Sequence, residues 1–151
     1  MVHERIRKLA DTYGIGIIYL FGSQAEEGAR YLETSYAIPD NLSDLDIAVY
    51  FIKNPKQDLS ERYGEIYMEL SYIFDVFNID LVFMNDMETL FQYEIITGIR
   101  VFEHDAEYAD VMEEIIMKKS ADLSLKQRIM NKDIMEAVED GYFDLEYRAS
   151  A

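Results

Sequence analysis

Four short apolar segments, set apart by helical patterns and polar turns, constrain the fold of this chain more than any other feature. They lie at residues 15–21, 45–52, 79–84 and 99–103 and are rich in β-branched and aromatic side chains. Runs of this length and composition predict strands, the first of them buried and the last at a sheet edge. Because helical patterns alternate with these strands, we expect an α/β domain with a small mixed sheet packed by helices.

Helical periodicity fills most of the remaining sequence. We predict helices at residues 3–13, 58–74 and 87–97, and a further helical pattern from Glu107 onward. Asp58 and Glu61 predict a capping pair at the start of the second helix. Residues 24–29 begin a helix after Ser23, whereas residues 30–43 are polar and predict an irregular segment with a turn.

The C-terminal part of the chain is predicted to be a separate helical extension. A break near Ser120–Ser124 divides the final helical pattern from a last helix at residues 125–139. Residues 141–151 are typical of a loose tail. We therefore predict one domain over residues 1–118, followed by a helical extension and tail over residues 119–151.

The charge balance is strongly acidic, with 30 Asp and Glu residues against 14 Lys and Arg residues and a net charge of −16. Nucleic-acid binding depends on neutralising phosphates with basic side chains, so a nucleic-acid partner is disfavoured. A protein partner with a basic face would instead be attracted and steered.

The absence of cysteine among the 151 residues excludes disulfide scaffolds and cysteine-based zinc sites, and it is compatible with a reducing cytoplasm. The charged N-terminal residues do not resemble a signal peptide. No apolar run approaches the ~20 residues that a membrane-spanning helix needs. We therefore expect a cytoplasmic protein without a membrane partner.

Two carboxylates one residue apart lie at the start of the second predicted strand, and another lies in the third. Because alternate strand residues share a face, Asp44 and Asp46 would point the same way, with Asp80 beside them on a neighbouring strand. Three carboxylates this close repel one another unless a cation lies between them, and hard oxygen ligands suit Mg²⁺. We predict a metal site here, in which two ions could clamp the attacking and leaving oxygens of a displacement.

The first predicted strand runs directly into a Gly-Ser turn. Gly22 allows close approach of the backbone to a phosphate, and Ser23 at a helix start offers a hydroxyl and exposed N–H groups. We expect Gly22 and Ser23 to seat the β- and γ-phosphates of a triphosphate, with its α-phosphorus above the carboxylates. Together these residues predict nucleotidyl transfer.

These segments resemble the minimal nucleotidyltransferases of the polymerase-β-like superfamily over about residues 14–118. The resemblance rests on Phe21-Gly22-Ser23 with Gly28, on the Ser-Asp-Leu-Asp-Ile-Ala-Val run at 43–49, on Asp80-Leu81-Val82, and on the Gly-Ile-Arg-Val-Phe-Glu run at 98–103. It implies the polymerase-β-like nucleotidyltransferase fold, with Mg²⁺ as cofactor and ATP as substrate. Small members commonly act as the antitoxin of a helical HEPN-type ribonuclease toxin and resemble enzymes that move AMP onto a toxin tyrosine.

Under this interpretation the roles of the site residues follow. Asp44 and Asp46 hold the ions and the triphosphate, and Asp80 binds the metal at the acceptor hydroxyl and helps to remove its proton. The acceptor is a basic HEPN-type toxin. Two other hypotheses remain: a non-catalytic module that neutralises a partner by occlusion, and a small-molecule nucleotidyltransferase, for which a homodimer could build a shared pocket.

The chain departs from the family pattern between Ser23 and Asp44. Twenty residues, 24–43, separate them, about twice the usual family gap, and the surplus falls in 29–42. We predict that residues 29–42 form a lid or a partner contact at the rim of the nucleotide site. Gln24 stands where many relatives carry a basic residue, so one triphosphate contact is missing or supplied elsewhere.

Overall fold

Helices and strands alternate along the described part of the chain, residues 2–140 of a computed structural model, in which side chains are described from residue 4. The elements are α1 (Val2–Tyr13), β1 (Ile15–Phe21), α2 (Ala25–Thr34), β2 (Leu45–Phe51), α3 (Leu59–Ile73), β3 (Ile79–Phe83), α4 (Thr89–Ile96), β4 (Ile99–Glu103) and α5 (Ala106–Glu139). The four predicted strands are confirmed, each within one residue of its predicted ends.

The four strands form one mixed sheet in the order β3–β2–β1–β4. β1 pairs antiparallel with both β2 and β4, whereas β2 and β3 run parallel. A parallel pair needs a crossover between its strands, and α3 supplies it. β4 therefore lies at an edge, as predicted.

Helices cover both faces of the sheet. The first face packs against α1, α2 and α3 through apolar residues of alternate strand positions, among them Ile18, Leu20, Ile47, Val49 and Leu81. The opposite face packs against α4 and α5 through a smaller cluster that includes Ile17, Tyr19, Phe21, Ala48, Ile95, Ala109 and Ile116. From Ile17 onward the period-2 alternation thus assigns the buried strand residues to one of two cores.

The helix after β1 is longer than predicted. Residues 30–34, expected to be irregular, continue α2 to Thr34, because Leu32 is buried in the first core and Tyr31 packs against it. The Tyr31 hydroxyl also donates a hydrogen bond to Asp75 at the end of α3. The irregular segment is confined to residues 35–44.

Two other predictions about helix ends are wrong. The break expected near Ser120–Ser124 is absent from the described chain, since α5 is one helix of 34 residues that buries Ser120. The start of α3 has no side-chain cap, because Asp58 takes a left-handed conformation with φ of 56° and its carboxylate makes no capping hydrogen bond. A side-chain cap does occur at α5, where Asp105 accepts from the Glu107 N–H at 3.0 Å.

The predicted boundary at residues 118 and 119 falls within α5, and the division into two units stays a prediction. The predicted tail at residues 141–151 lies outside the described residues. Among the described helices, none is both long enough and apolar enough to cross a bilayer.

Candidate active site

The Gly-Ser turn after β1 lies directly against the second carboxylate of β2. Gly22 has a φ of +76°, which residues with a Cβ rarely adopt, and a Cβ at this position would overlap the Asp46 carboxylate. Only glycine satisfies both conditions. The turn and the carboxylate, separated by more than twenty residues of sequence, are therefore in contact.

Asp46 occupies the middle of three neighbouring strands. It pairs in register with Phe21, the last residue of β1, and with Asp80 on β3. Register partners on adjacent strands lie on the same face, about 4.8 Å apart along the hydrogen-bonding direction. Asp46 and Asp80 therefore share one face, the one that α4 and α5 cover farther along the sheet.

Negative charge accumulates around Asp46. Partial burial raises the pKa of its carboxyl group, and the nearby charges of Asp80, Asp44 and Glu94 raise it further, in that order of importance. Asp44 precedes β2 and is exposed, as is Asp80, whereas Leu45 and Ile47 are fully buried. No basic side chain is among the charges that shift the pKa of Asp46. The cluster therefore has excess negative charge, which favours a bound cation.

The donor chemistry of this cluster fits Mg²⁺, which takes carboxylate oxygens together with substrate phosphates. Asp46 and Asp80 could supply such oxygens from adjacent strands, with Asp44 at the strand entry. Within residues 4–140, no three Asp, Glu or His side chains already stand close enough to hold an ion. Convergence of the three predicted ligands on one metal therefore stays a prediction.

Ser23 is exposed and lies two residues ahead of α2, whose N-cap position is Gln24. The turn is closed by the Ala25 N–H, which donates to the Gly22 carbonyl at 3.4 Å. Gly28, one turn into α2, lets the helix pack close, since a Cβ there would lie 2.8 Å from a methyl of Leu45 and 2.9 Å from one of Leu20. This close packing brings α2 against Leu45, the first residue of β2.

Gln24 is a site residue whose role sequence reasoning missed. It is 4% exposed, and its amide bridges the loop before β2. The Nε2 group donates to the Ser43 carbonyl at 2.5 Å, and Oε1 accepts from the Asp40 N–H at 2.7 Å. Gln24 therefore ties the end of the loop 35–44, which includes Asp44, to the start of α2. The sequence signal for this role was an amide side chain, which can both donate and accept hydrogen bonds, at the start of a predicted helix.

α4 borders the same end of the sheet and was not predicted to contribute. Its Phe91 ring packs edge-on against Phe21, with ring centroids 5.9 Å apart. Its Glu94 adds negative charge near Asp46. Nothing in the local sequence of α4 indicated this, because the contact depends on how the helix packs on the sheet.

A second charged cluster, formed by Arg100, Glu103, Asp110 and Glu113, lies between β4 and α5. Arg100 pairs with all three carboxylates, and the Tyr19 hydroxyl donates to Glu113 at 3.0 Å. Burial and the Glu113 charge raise the pKa of Tyr19, so it stays a neutral donor. This cluster fastens α5 to the sheet.

The sequence pattern of the family described as polymerase beta nucleotidyltransferases matches residues 4–107. The chain belongs to this family. The match spans every strand of the sheet and each of the predicted site residues, and it identifies the protein as a nucleotidyltransferase, as predicted.

Solved structures of toxin–antitoxin complexes share the fold. A chain from an MntA-HpeT complex, in a mutant with two aspartates changed to glutamate, is 18% identical with a TM-score of 0.62, over 87% of this chain and 97% of that one. A toxin–antitoxin structure with AMP-PNP gives 20% identity and a TM-score of 0.61, over 89% and 99% of the two chains.

A complex of the tri-AMPylated Shewanella oneidensis HEPN toxin with its MNT antitoxin is also similar. Its matching chain is 18% identical with a TM-score of 0.57, over 89% of this chain and 99% of that one. At these identities the likeness shows the fold, which is the predicted one. No curated protein matches the sequence significantly.

Proposed function

We propose that this nucleotidyltransferase uses Mg-ATP to adenylylate a tyrosine hydroxyl of a HEPN-type ribonuclease toxin, and that it acts as the antitoxin of that toxin in the cytoplasm. The observation that carries the proposal is the position of Asp46. It is paired in register with Asp80 and lies in contact with the turn at Gly22. Carboxylates for metal and a backbone turn for phosphate are thereby adjacent.

Asp44, Asp46 and Asp80 would hold the Mg²⁺ ions, which when bound offset the charge of the triphosphate and polarise the reacting oxygens. Gly22 and Ser23 would seat the β- and γ-phosphates through backbone N–H groups and the Ser23 hydroxyl. Asp80 is exposed at the open side of the site, where an acceptor can approach.

In the proposed reaction the tyrosine oxygen forms a bond to the α-phosphorus of ATP. The bond from that phosphorus to the bridging oxygen of the β-phosphate breaks, and pyrophosphate leaves with the electron pair. The proton of the hydroxyl passes to the Asp80 carboxylate and then to water. The products are an AMP–tyrosine ester and pyrophosphate, so atoms and charge balance.

Two features support a toxin as the acceptor. The structures that share this fold include an antitoxin bound to an AMPylated HEPN toxin and a toxin–antitoxin structure with AMP-PNP. In addition, the net charge of −16 is complementary to a ribonuclease, which needs a basic face to hold RNA. Adenylylation near that face would add negative charge and repel RNA.

Intact-mass spectrometry tests the proposal. The acceptor is the helical protein of the neighbouring gene if it carries an Arg-x₄-His motif, incubated with this protein and Mg-ATP. We expect one or more additions of AMP with wild-type protein and none with Asp46→Asn. Asp11→Asn, which changes an exposed carboxylate on α1, is the matched control and should remain active.

Two results would support a different function. An inhibited but unmodified toxin would support neutralisation by occlusion. Transfer of nucleotide to a small amine or alcohol, with no modification of the toxin, would support a small-molecule acceptor.

A further inference from the structure

The second half of α5 carries an apolar stripe, defined here as Leu123, Met130 and Ile134, that nothing covers within the described part of the chain. These side chains are 38%, 59% and 43% exposed. The stripe continues the helix face that buries Ala109, Ile116 and Ser120 against the domain. The face of α5 that packs against the domain in the first half of the helix is therefore exposed to solvent in the second half.

The spacing of this face is that of a coiled coil. Core positions alternate at intervals of four and three residues along Ile116, Ser120, Leu123, Gln127, Met130, Ile134 and Ala137. A period of 3.5 residues is the period at which two helices keep one seam in contact along their length. The pattern starts where the helix packs on the domain at Ile116 and Ser120, and it fits pairing with another helix over the open part of the face, residues 123–137.

Charges along one flank of the seam change sign once. Lys119, Lys126, Asp133 and Asp140 recur at seven-residue intervals, basic in the first half and acidic in the second. In the described structure, none of the ion pairs involves any of the four. Two such flanks have complementary charges when their helices run antiparallel.

We propose that the stripe docks a second copy of this chain, with the two α5 helices antiparallel. In this register Leu123 packs against Ile134 of the second copy, and Gln127 against its Met130. Lys126 then faces Asp133 of the second copy. The two-fold axis repeats this contact, which gives two ion pairs around one seam.

The flank on the other side of the seam distinguishes a parallel from an antiparallel pair of helices. It carries Met117, Ser124, Asn131 and Val138, with no charge. In a parallel pair the charged flank would face this uncharged one, and no ion pair would form. In the antiparallel pair Ser124 meets Asn131 of the second copy, so polar residues match on this flank.

The sequence of α5 selects a second copy over an unrelated helix. On the charged flank, Lys126 has Asp133 of an identical chain opposite it, at the same register that joins Leu123 to Ile134. The helix is already folded and anchored through Ile116 and the Arg100 cluster, so pairing does not bear the cost of helix nucleation.

Charge reversal tests the docking surface. At micromolar concentration, sedimentation should give twice the chain mass of 17.7 kDa. Lys126→Asp should raise the dissociation constant of the dimer by about tenfold, as should Asp133→Lys, and the double exchange should restore it. Lys132→Asp reverses a charge on the opposite side of the same helix and serves as the matched control.

Cysteine pairing tests the orientation, since the chain has no cysteine of its own. Leu123→Cys mixed with Ile134→Cys should give a disulfide-linked dimer under mild oxidation, and neither variant alone should do so. A link between two Leu123→Cys chains would overturn the antiparallel arrangement.

Two further outcomes would overturn the proposal. One is a wild-type protein that sediments as a monomer while circular dichroism shows the helix intact. The other is a dimer with the same affinity in Lys126→Asp as in Lys132→Asp. A monomer that pairs this stripe only with a helical toxin would assign the surface to the toxin, whatever the outcome of the adenylylation assay.

Discussion

At the scale of single residues, the site depends on one contact between a glycine and an aspartate. Gly22 and Asp46 are far apart in sequence, yet a Cβ on one would overlap the carboxylate of the other. Two physical conditions therefore require glycine at position 22: the left-handed backbone conformation and the space taken by the Asp46 carboxylate. Either reason alone would make substitution unfavourable.

Gly22→Ala should lower the free energy of unfolding by about 1–2 kcal/mol, because a Cβ is strained at positive φ. It should also abolish stabilisation by Mg-ATP, since Asp46 must move. Gly64→Ala is the control: it lies within α3 with no atom within 4 Å of its Cβ, so it should stabilise by up to about 1 kcal/mol. Chemical denaturation measures both, and equal Mg-ATP shifts in the two variants would contradict the role of Gly22.

Replacing Asp44 and Asp46 with Asn should abolish the rise in melting temperature that Mg-ATP causes. Ligand at a hundred times its dissociation constant stabilises the native state by about 2.7 kcal/mol, and the variant should lose this stabilisation. Without ligand the variant should be as stable as wild type or more so, because carboxylate repulsion is relieved. Thermal unfolding with and without Mg-ATP is the measurement, and a full shift in the variant would exclude these ligands.

The contribution of Asp46 to the pH dependence of stability has a defined sign. The pKa of Asp46 is raised above its ordinary value of 3.8, so the folded state holds this proton more tightly than the unfolded state. Its contribution to stability is therefore largest below pH 3.8 and falls as pH rises through the raised pKa. Asp46→Asn should remove this fall; an unchanged slope of stability with pH above 3.8 would contradict it.

At the scale of elements, the loop 35–44 connects α2, which follows the Gly22-Ser23 turn, to β2, which carries Asp46. Gln24 joins it to the start of α2 through Ser43 and Asp40. Six of the fourteen residues expected to form a lid, residues 29–34, are instead helix, with Leu32 in the core. A lid role is therefore retained as a proposal for the loop alone.

Gln24→Ala should release this loop, because it leaves the partly buried Asp40 N–H and Ser43 carbonyl without their partner. The expected loss of stability is about 1 kcal/mol. Amide exchange at residues 40–43 should accelerate, and the dissociation constant of Mg-ATP should change. Gln57→Ala, at an exposed position after β2, is the control. Unchanged exchange at residues 40–43 would show that Gln24 does not hold the loop.

At the scale of the whole molecule, charge decides which partners approach. A net charge of −16 on 151 residues gives a field that attracts a basic protein. The same field slows binding of nucleic acid, whose backbone carries the same sign. Association with a toxin should accordingly depend on ionic strength.

The association rate with a basic HEPN toxin should fall by about tenfold or more when salt is raised from about 0.05 M to 0.5 M, since screening shortens the range of the field. The dissociation rate should change less. Stopped-flow mixing provides both rates, with sucrose at matched viscosity as the control. An association rate that is independent of salt would exclude steering by charge.

Much of the fold and of the candidate site could be predicted from local pattern. The period of two placed Leu45 and Ile47 in the core and Asp46 on the other face, as the structure has them. The break predicted near Ser120 was wrong because two serines weaken a helix only slightly, and burial of Ser120 outweighs that preference. The cap at Asp58 failed because the residue takes a left-handed conformation.

By itself, the sequence determined which segments are strands and which residues alternate between faces, because these depend on neighbours within a few positions. It also predicted the carboxylates of the candidate site. Only the tertiary structure decided that β2 and β3 run parallel in the register that places Asp80 beside Asp46. It also decided that Gly22 touches Asp46 and that Gln24 holds Ser43. Those contacts join residues far apart in sequence, and they depend on the packing of α2 and α3 against the sheet, which no local pattern encodes.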